Sequence, residues 1–332
     1  MELCLYHPEQ GYYTSTARNT GIHGDYYTSP HLGPLFGQLI AKQLQEMWLA
    51  MGQRPFTILE YGAGNGLLCH DILKAAGNNE QFLQDIRYTI IEKNSVSGNN
   101  GDTRVNRIND IDALKEIEGC VISNELVDNL SVHRVIKTKE LLEVKVDYQD
   151  GEFREVLQPA RQELIDYFDE LAVILPDNFQ TEVNLDALEW IKKIALHLHK
   201  GYVLTIDYGF PSHELYNPSH AHGNLLCYYQ HKLSDRLYEN IGEQDITAHV
   251  NFSALDHWGS KYGLDFTGFT NQSYFLMGLG VSKQANQDPS CVAGPLLLKT
   301  LLVDLGMRMK VLVQQKNLPV VPLSGLRFPM RL

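Results

Sequence analysis

Hydrophobic and polar positions along this chain switch between two periods. Leu35 to Leu49 is amphipathic at helical spacing and predicts a helix. Thr57 to Tyr61 is a short β-prone run ending in glycines, and a helical pattern, Leu67 to Ala76, begins just after them, which predicts a strand, a tight loop and a helix. Arg87 to Glu92 is a second strand about one helix later, Arg104 to Ile108 is weakly strand-like, and Gly119 to Ser123 is another buried strand. Gly201 to Tyr208 repeats the theme, an apolar run that ends on an acid and a glycine. Strands alternating with helices in this way predict an α/β fold with a parallel, doubly wound sheet.

The stretch between the strands at 119 and 201 is too long for a simple crossover. Its first half, Val132 to Val156, is β-branched and contains the turn Gln149-Asp150-Gly151, which predicts a hairpin or meander. Its second half carries Leu185, Leu188, Ile191, Ala195 and Leu198 at helical spacing, a stripe that reads as core packing. Residues 131–200 are therefore an inserted subdomain. Residues 56–130 and 201–332 form the core, and 1–55 are an amino-terminal segment rich in Gly, Tyr and Pro up to Pro34.

Charge narrows the function. The 332 residues hold 40 acids against 28 bases, a net of -12. That disfavours coating nucleic acid or an anionic membrane, both of which need a Lys/Arg surplus. The five cysteines are an odd number, far apart and without a C-x-x-C pair, so they read as buried free thiols in a reducing compartment. Met1 to Pro8 has neither the basic start nor the apolar stretch of a secretory signal, and even Gly294 to Met307 is interrupted by Lys299 and Asp304. These features predict a cytoplasmic protein without a membrane span.

The segment most informative about chemistry is Glu60-Tyr61-Gly62-Ala63-Gly64-Asn65-Gly66. Its glycines allow a close approach of backbone to ligand. The dinucleotide pattern G-x-G-x-x-G would need a third glycine at 67, which is Leu. The observed G-x-G-x-G, with an acid two residues ahead, suits a nucleoside carrying a cationic amino-acid tail: Glu60 would repel a pyrophosphate and can pair with an ammonium. Glu92, at the carboxyl end of the second strand, is placed beside the loop for a ribose diol. Asp110 could reach an exocyclic adenine amine or be a solvated turn. Asn124, Glu125 and Asp128 follow the next strand and either face a ligand or begin a helix, with Asn124 as its cap. The loop Gly21 to Pro30 is dense in turn formers. The thirteen histidines make no metal site, and neither a nucleophile elbow nor a phosphate loop is present.

With these motifs the chain resembles the MidA-like methyltransferases, class I S-adenosylmethionine-dependent enzymes that include a mitochondrial complex I assembly factor acting on protein arginine. The resemblance rests on Leu5-Tyr6-His7-Pro8-Glu9 with Gly11-Tyr12-Tyr13, on Gly24 to Pro30, on Glu60 to Gly66 and on Asn124 to Asp128. It extends through Ile206-Asp207-Tyr208-Gly209, Gly242 to Phe252 and Gln272 to Leu276. Two departures are Glu-Tyr-Gly-Ala-Gly where the family has Glu-Leu-Gly-Pro-Gly, and Asn129-Leu130-Ser131 in place of Ala-Leu-Pro; neither removes a carboxylate or a glycine.

What the resemblance implies is a seven-stranded, Rossmann-like sheet whose final strand runs antiparallel, with S-adenosylmethionine over the strand ends. Glu60, Gly62, Gly64 and Gly66 would bind its methionine part and Glu92 its ribose, while Gly24, Asp25 and Thr28 would close over it. The insertion and the carboxyl-terminal third would shape a groove for a protein substrate, and a short helix would precede the position at which this chain begins. Glu125 and Asp128 would grip an arginine guanidinium through charge-assisted hydrogen bonds. Glu60, Glu92, Glu125 and Asp207 then place part of the acidic surplus where cations are handled. Two rivals remain at this stage: a non-catalytic assembly protein on the same fold, and a nicotinamide-dependent oxidoreductase, which Leu67 disfavours.

Overall fold

The computed structural model describes residues 1–14, 28–93, 104–230, 232–287 and 294–332. The central sheet takes β1 (Phe56–Tyr61), β2 (Ile86–Ile91), β3 (Val105–Ile108) and β4 (Ile117–Asn124) from the first half of the chain. The insertion supplies β5 (His133–Lys137), β6 (Leu141–Gln149), β7 (Glu152–Pro159) and β8 (Gln180–Val183). The chain returns to the central sheet with β9 (Leu198–Phe210), forms a small separate sheet from β10 (Leu226–Tyr229), β11 (Lys232–Ser234) and β12 (Asp245–Thr247), and finishes with β13 (Val250–Asn251), β14 (Asp265–Asn271) and β15 (Met309–Lys316).

The central order is β14-β15-β9-β4-β1-β2-β3, with β13 beside the end of β9. β1 is parallel to β2 and β4, β4 to β9, and β2 to β3, whereas β15 is antiparallel to both β9 and β14. This is the expected doubly wound, seven-stranded sheet with an antiparallel last strand. Strands that read as unbroken apolar runs do so because both faces are covered. In β1, Ile58 packs into the core beneath α2 (Leu35–Ala50) and α3 (Leu67–Ala76), while Leu59 packs into the core on the insertion side.

The insertion is an antiparallel sheet in the order β7-β6-β5-β8. The turn from β6 to β7 takes Asp150 and Gly151 to φ of 56° and 85°, the left-handed pair that a tight hairpin requires. The helix Gln162–Glu170 was not anticipated, although Leu164, Tyr167 and Phe168 are buried at i, i+3 and i+4. The helix Leu185–His197 carries the apolar stripe, and Leu188, Ile191, Ala195 and Leu198 are buried with Leu185 packed at their edge.

A third, small core lies apart from these two. Leu5 and Tyr12 of the amino-terminal segment pack on Cys227 of β10 and Ile246 of β12. Among the described residues Cys4, Cys69, Cys120 and Cys227 form no disulfide, and Cys291 lies outside the described residues. Among the described residues no helix is long and apolar enough to cross a membrane.

Candidate functional site

The loop after β1 is built by its glycines. Gly62, Gly64 and Gly66 have φ of 69°, 53° and 77°, a conformation costly for any residue with a Cβ. Gly62 passes so close to Leu126 that a Cβ would stand 2.8 Å from its Cδ1, whereas a Cβ on Gly64 would meet nothing within 4 Å. Gly66 closes the turn by donating its N–H to Ala63 and then starts α3 as a left-handed N-cap, so Leu67 is the first helical residue.

Two acids bracket this loop. Glu60, buried at the end of β1, accepts the Tyr88 hydroxyl at 2.6 Å; burial pushes its carboxyl up to about 7, against the pull of that bond. Glu92, just past β2, accepts the Gly64 N–H at 2.7 Å. Burial raises its carboxyl above the usual range while the Gly64 N–H and Arg107 oppose the shift. Glu92 therefore stands beside the glycine loop, as expected from the order of the strands.

Beyond β4, Glu125 adopts φ 52°, the left-handed region that a side chain of this size rarely occupies. Its Oε1 accepts the Asn124 Nδ2 at 3.2 Å and the Ser29 N–H at 3.4 Å. Burial, followed by the charge of Asp207, pushes its carboxyl up to about 8. The expected helix start is instead a single 3-10 turn, Val127–Asn129, with Leu126 and not Asn124 at its cap. Asp128 is buried within that turn, and its Oδ1 has no hydrogen-bond partner. Burial and the neighbouring Asp207, Asp245 and Glu125 raise its carboxyl well above the ordinary range.

These elements enclose a cavity of about 780 Å³ over the carboxyl ends of the strands. Glu60, Gly62, Gly64, Glu92, Asp110, Asn124, Glu125 and Thr28 all line it, whereas Asp128 and Asp207 do not. Asp207 is fully buried and its carboxylate is committed to the backbone N–H groups of Leu126, Val127 and Tyr208, so the reading of it as a cation-facing acid is corrected. Asp110 caps a 3-10 turn and pairs with Lys193 at 3.3 Å on an exposed surface while bordering the cavity. Gly24 and Asp25 lie outside the described residues.

Several lining residues were given no role by the sequence. His31 bridges the amino-terminal segment to the glycine loop, with Nδ1 2.8 Å from Thr28 Oγ1 and Nε2 3.1 Å from Asn65 Nδ2. Asn129, Tyr61, Tyr13 and Trp190 also reach the wall. The signal for Trp190 was present, because Asp186, Glu189, Trp190 and Lys193 are spaced i, i+3, i+4 and i+7 and all four line the cavity.

The donor and acceptor set fits a cationic nucleoside. Among the described residues seven acids line the cavity, Glu2, Glu60, Glu92, Asp110, Glu125, Asp186 and Glu189, against Lys93 and Lys193. Both lysines are paired, with Glu2 and Asp110 respectively. The carboxylates of Glu60 and Glu125 are held partly protonated near neutral pH by burial, a penalty that a bound cation would relieve. Among the described residues no group of three His, Cys, Asp or Glu side chains is placed to hold a metal ion.

A sheet of this order, with an acid and a glycine loop at the end of its first strand and a second acid at the end of its neighbour, defines a class I nucleoside-dependent methyltransferase fold. Residues 39–270 match the family described as "Putative S-adenosyl-L-methionine-dependent methyltransferase", and the chain belongs to that family. It is similar to the mitochondrial protein arginine methyltransferase NDUFAF7 of Xenopus tropicalis, at 27% identity with 85% of this chain and 71% of the relative covered. It is also similar to the NDUFAF7 homologue of Drosophila melanogaster, at 26% identity with 83% and 69% covered. A crystal structure from Burkholderia thailandensis bound to S-adenosyl-homocysteine superposes with a TM-score of 0.88 at 28% identity, covering 99% of this chain and 89% of that one.

The protein is thus an S-adenosylmethionine-dependent methyltransferase, and the nicotinamide alternative is set aside. The expectation of a cytoplasmic protein is overturned by the relatives, whose names in Xenopus, Drosophila, mouse and human are those of mitochondrial proteins.

Proposed function

We propose that the protein methylates an arginine side chain on a protein substrate and that Glu125 receives the guanidinium. The observation that carries this reading is the Glu125 turn. A carboxylate is held on the cavity wall, in a backbone conformation that must be enforced, one strand away from Glu60 and two from Glu92. A guanidinium brings five N–H donors and no acceptor. Glu125 offers it an acceptor wall, and the neighbouring Asn124 and Asn129 contribute side-chain oxygens that are buried without a partner. The names of the relatives, protein arginine methyltransferases, support the same substrate.

S-adenosylmethionine supplies an electrophilic methyl on a sulfonium. The residues of this chain then orient the nucleophile and take its proton. Glu125 grips the charged guanidinium and points one nitrogen at the methyl, so alignment does most of the catalytic work. As the new N–C bond forms and the S–C bond breaks with its electron pair going to sulfur, the guanidinium gives up one proton. A carboxyl raised to about 8 is matched to accept it near neutral pH. Asp128 does not line the cavity, so of these two acids Glu125 provides the grip.

On this reading Glu60, Gly62, Gly64 and Gly66 hold the methionine part of the cofactor, Glu92 the ribose, and Asp110 and Asn124 border its remaining surface. The amino-terminal segment, residues 1–55, covers the cofactor, and residues 131–200 with the carboxyl-terminal third shape the substrate groove. The test is incubation of purified protein, labelled S-adenosylmethionine and cell extract, followed by identification of the methylated residue. Glu125→Gln is expected to lower transfer at least ~100-fold while S-adenosyl-homocysteine affinity stays within about threefold. Label on a residue other than arginine, or full transfer by the variant, refutes the reading.

A further inference from the structure

Ser29 and Gln272 do not line the cofactor cavity, yet the fold brings them together beside Glu125. Ser29 opens the 3-10 turn Ser29–Leu32, and Gln272 is the first residue of the helix Gln272–Gly278, which Asn271 caps by accepting the Tyr274 N–H at 2.8 Å. Both are fully buried, with 0% of their surface exposed. A buried amide is costly unless both of its ends are paired. Gln272 donates from Nε2 to the Leu301 carbonyl at 3.3 Å, which turns Oε1 toward Ser29, and the Ser29 hydroxyl donates to that oxygen at 3.0 Å. With its hydroxyl committed, Ser29 offers Glu125 its backbone N–H, which reaches Oε1 at 3.4 Å. Asn124 Nδ2 donates to the same oxygen at 3.2 Å. Among the described residues both bonds fall on Oε1, so Oε2 is the oxygen left for a ligand in the cavity that Glu125 lines.

We propose that Gln272 and Ser29 are positioning residues for the transfer: Gln272 anchors the Ser29 turn, and the Ser29 N–H holds Oε1 of Glu125 so that Oε2 meets the nucleophile. Neither residue touches the reacting atoms. The proposal rests on the reading of Glu125 as the acid that receives the guanidinium. Holding Oε1 also has a consequence for charge. Burial and then the charges of Asp207 and Asp245 raise the Glu125 carboxyl, whereas the Ser29 N–H and the Asn124 amide favour its ionised form. Asp128 in the following turn, Tyr208 of β9 and Tyr228 of β10 feel the same charge. Loosening Ser29 therefore raises the Glu125 carboxyl further, and its ionised form is reached only at higher pH.

Two variants of the full chain test it: Ser29→Ala, which removes one oxygen, and Gln272→Met, which keeps the length of the side chain and loses both of its bonds. Infrared difference titration reads the Glu125 carboxyl directly, its band being identified by its loss in Glu125→Gln. The midpoint is expected at about 8 in the unaltered protein and at least about half a pH unit higher in either variant. Transfer of labelled methyl to the proteins of a cell extract is expected to fall about tenfold at neutral pH, while S-adenosyl-homocysteine binds within about threefold of the unaltered affinity. Added to Glu125→Gln, Ser29→Ala is expected to cost less than about twofold more, since the side chain it holds is already altered. Ser29→Ala carries the decision if Gln272→Met fails to fold. An unmoved Glu125 midpoint in Ser29→Ala overturns the proposal. So does an equal loss of transfer by Ser29→Ala with and without Glu125, which would make the turn a support of the fold only. Full transfer by Glu125→Gln would instead refute the reading of Glu125 as the acceptor of the guanidinium.

Discussion

Gly64 donates its backbone N–H to the carboxylate of Glu92 across 2.7 Å, so the glycine loop after β1 and the acid after β2 form one unit before any ligand arrives. The loop is thereby preorganised, and its glycines can be told apart by what surrounds them. Gly64→Ala adds a methyl into open space and costs about 1–2 kcal/mol for the left-handed backbone alone. It is expected to fold, to melt slightly lower, and to bind S-adenosyl-homocysteine at least ~10-fold more weakly, because the methyl occupies the cavity wall. Gly62→Ala meets Leu126, the residue after Glu125, at 2.8 Å and is expected to lower methyl transfer as well. Calorimetry with a thermal melt on each variant distinguishes the two effects.

A second relationship sets the geometry of Glu125 from below. Asp207 Oδ2 accepts the N–H groups of Leu126 at 3.1 Å and Val127 at 2.8 Å, which fixes the turn immediately after the left-handed residue. Asp207→Asn leaves one acceptor oxygen, so an amide NH2 must face either the Leu126 and Val127 N–H groups or that of Tyr208. The expected result is a loss of about 1–3 kcal/mol in chemical denaturation. Transfer to the substrate is expected to fall at least ~10-fold, with S-adenosyl-homocysteine affinity little changed, since Asp207 does not line the cavity. Unaltered transfer by a destabilised variant would show that Asp207 supports only the fold.

The pH dependence has a defined sign. Glu60 keeps its proton up to about 7 and Glu125 up to about 8 in the folded protein, whereas an unfolded glutamate ionises near ~4.3. Between those values the folded state binds more protons than the unfolded one. Free-protein stability is therefore highest near pH 4 as far as these two groups are concerned, and falls as pH rises through about 7 and 8. The ammonium group of the ligand's amino-acid tail favours an ionised Glu60, so affinity for S-adenosyl-homocysteine is expected to rise from about pH 6 toward 7.5 with release of a proton. Titrations in buffers of different ionisation heat measure that proton. Glu60→Gln is expected to flatten the profile, and a profile unchanged by that substitution would place the titrating group elsewhere.

Much of this site could be read in the sequence because period and punctuation are local properties. The helix Leu67–Ala76 has the expected bounds, and the glycine loop lies between it and β1 because three glycines there leave the chain few other options. Asp128 shows where such reading stops. A carboxylate three residues after Glu125 would share its face on a helix, but the chain makes one 3-10 turn, and Asn129 reaches the cavity in its place. Asp207 was equally illegible as a structural acid, since its partners are N–H groups 80 and 81 residues away. For the insertion helix, the apolar stripe announced the buried face, while the opposite face gained its meaning from a cavity that forms only when β3 and the insertion meet. His31 has no motif at all; its role comes from a loop contact to Asn65.

The proposed amino-terminal cover is expected to behave as a separable unit, because its buried residues form a small cluster of their own. Leu5 and Tyr12 are buried against Cys227 and Ile246 in a core that is separate from the two main ones. Polar contacts also tie the segment to the rest of the chain: Glu2 to Lys93 and to Ser131, Tyr6 to the Asn129 carbonyl, and Tyr13 to Asp245 at 2.8 Å. Leu5→Ala removes about 2–5 kcal/mol from that small core. Because the remaining ties are polar and partly exposed, the segment is expected to open locally while the central sheet stays folded. The main thermal transition should then shift little, amide exchange in residues 2–13 should accelerate, and S-adenosyl-homocysteine should dissociate at least ~10-fold faster. If the dissociation rate is unchanged while amide exchange accelerates, the segment does not cover the cofactor. If exchange is also unchanged, the small core is an integral part of the central fold.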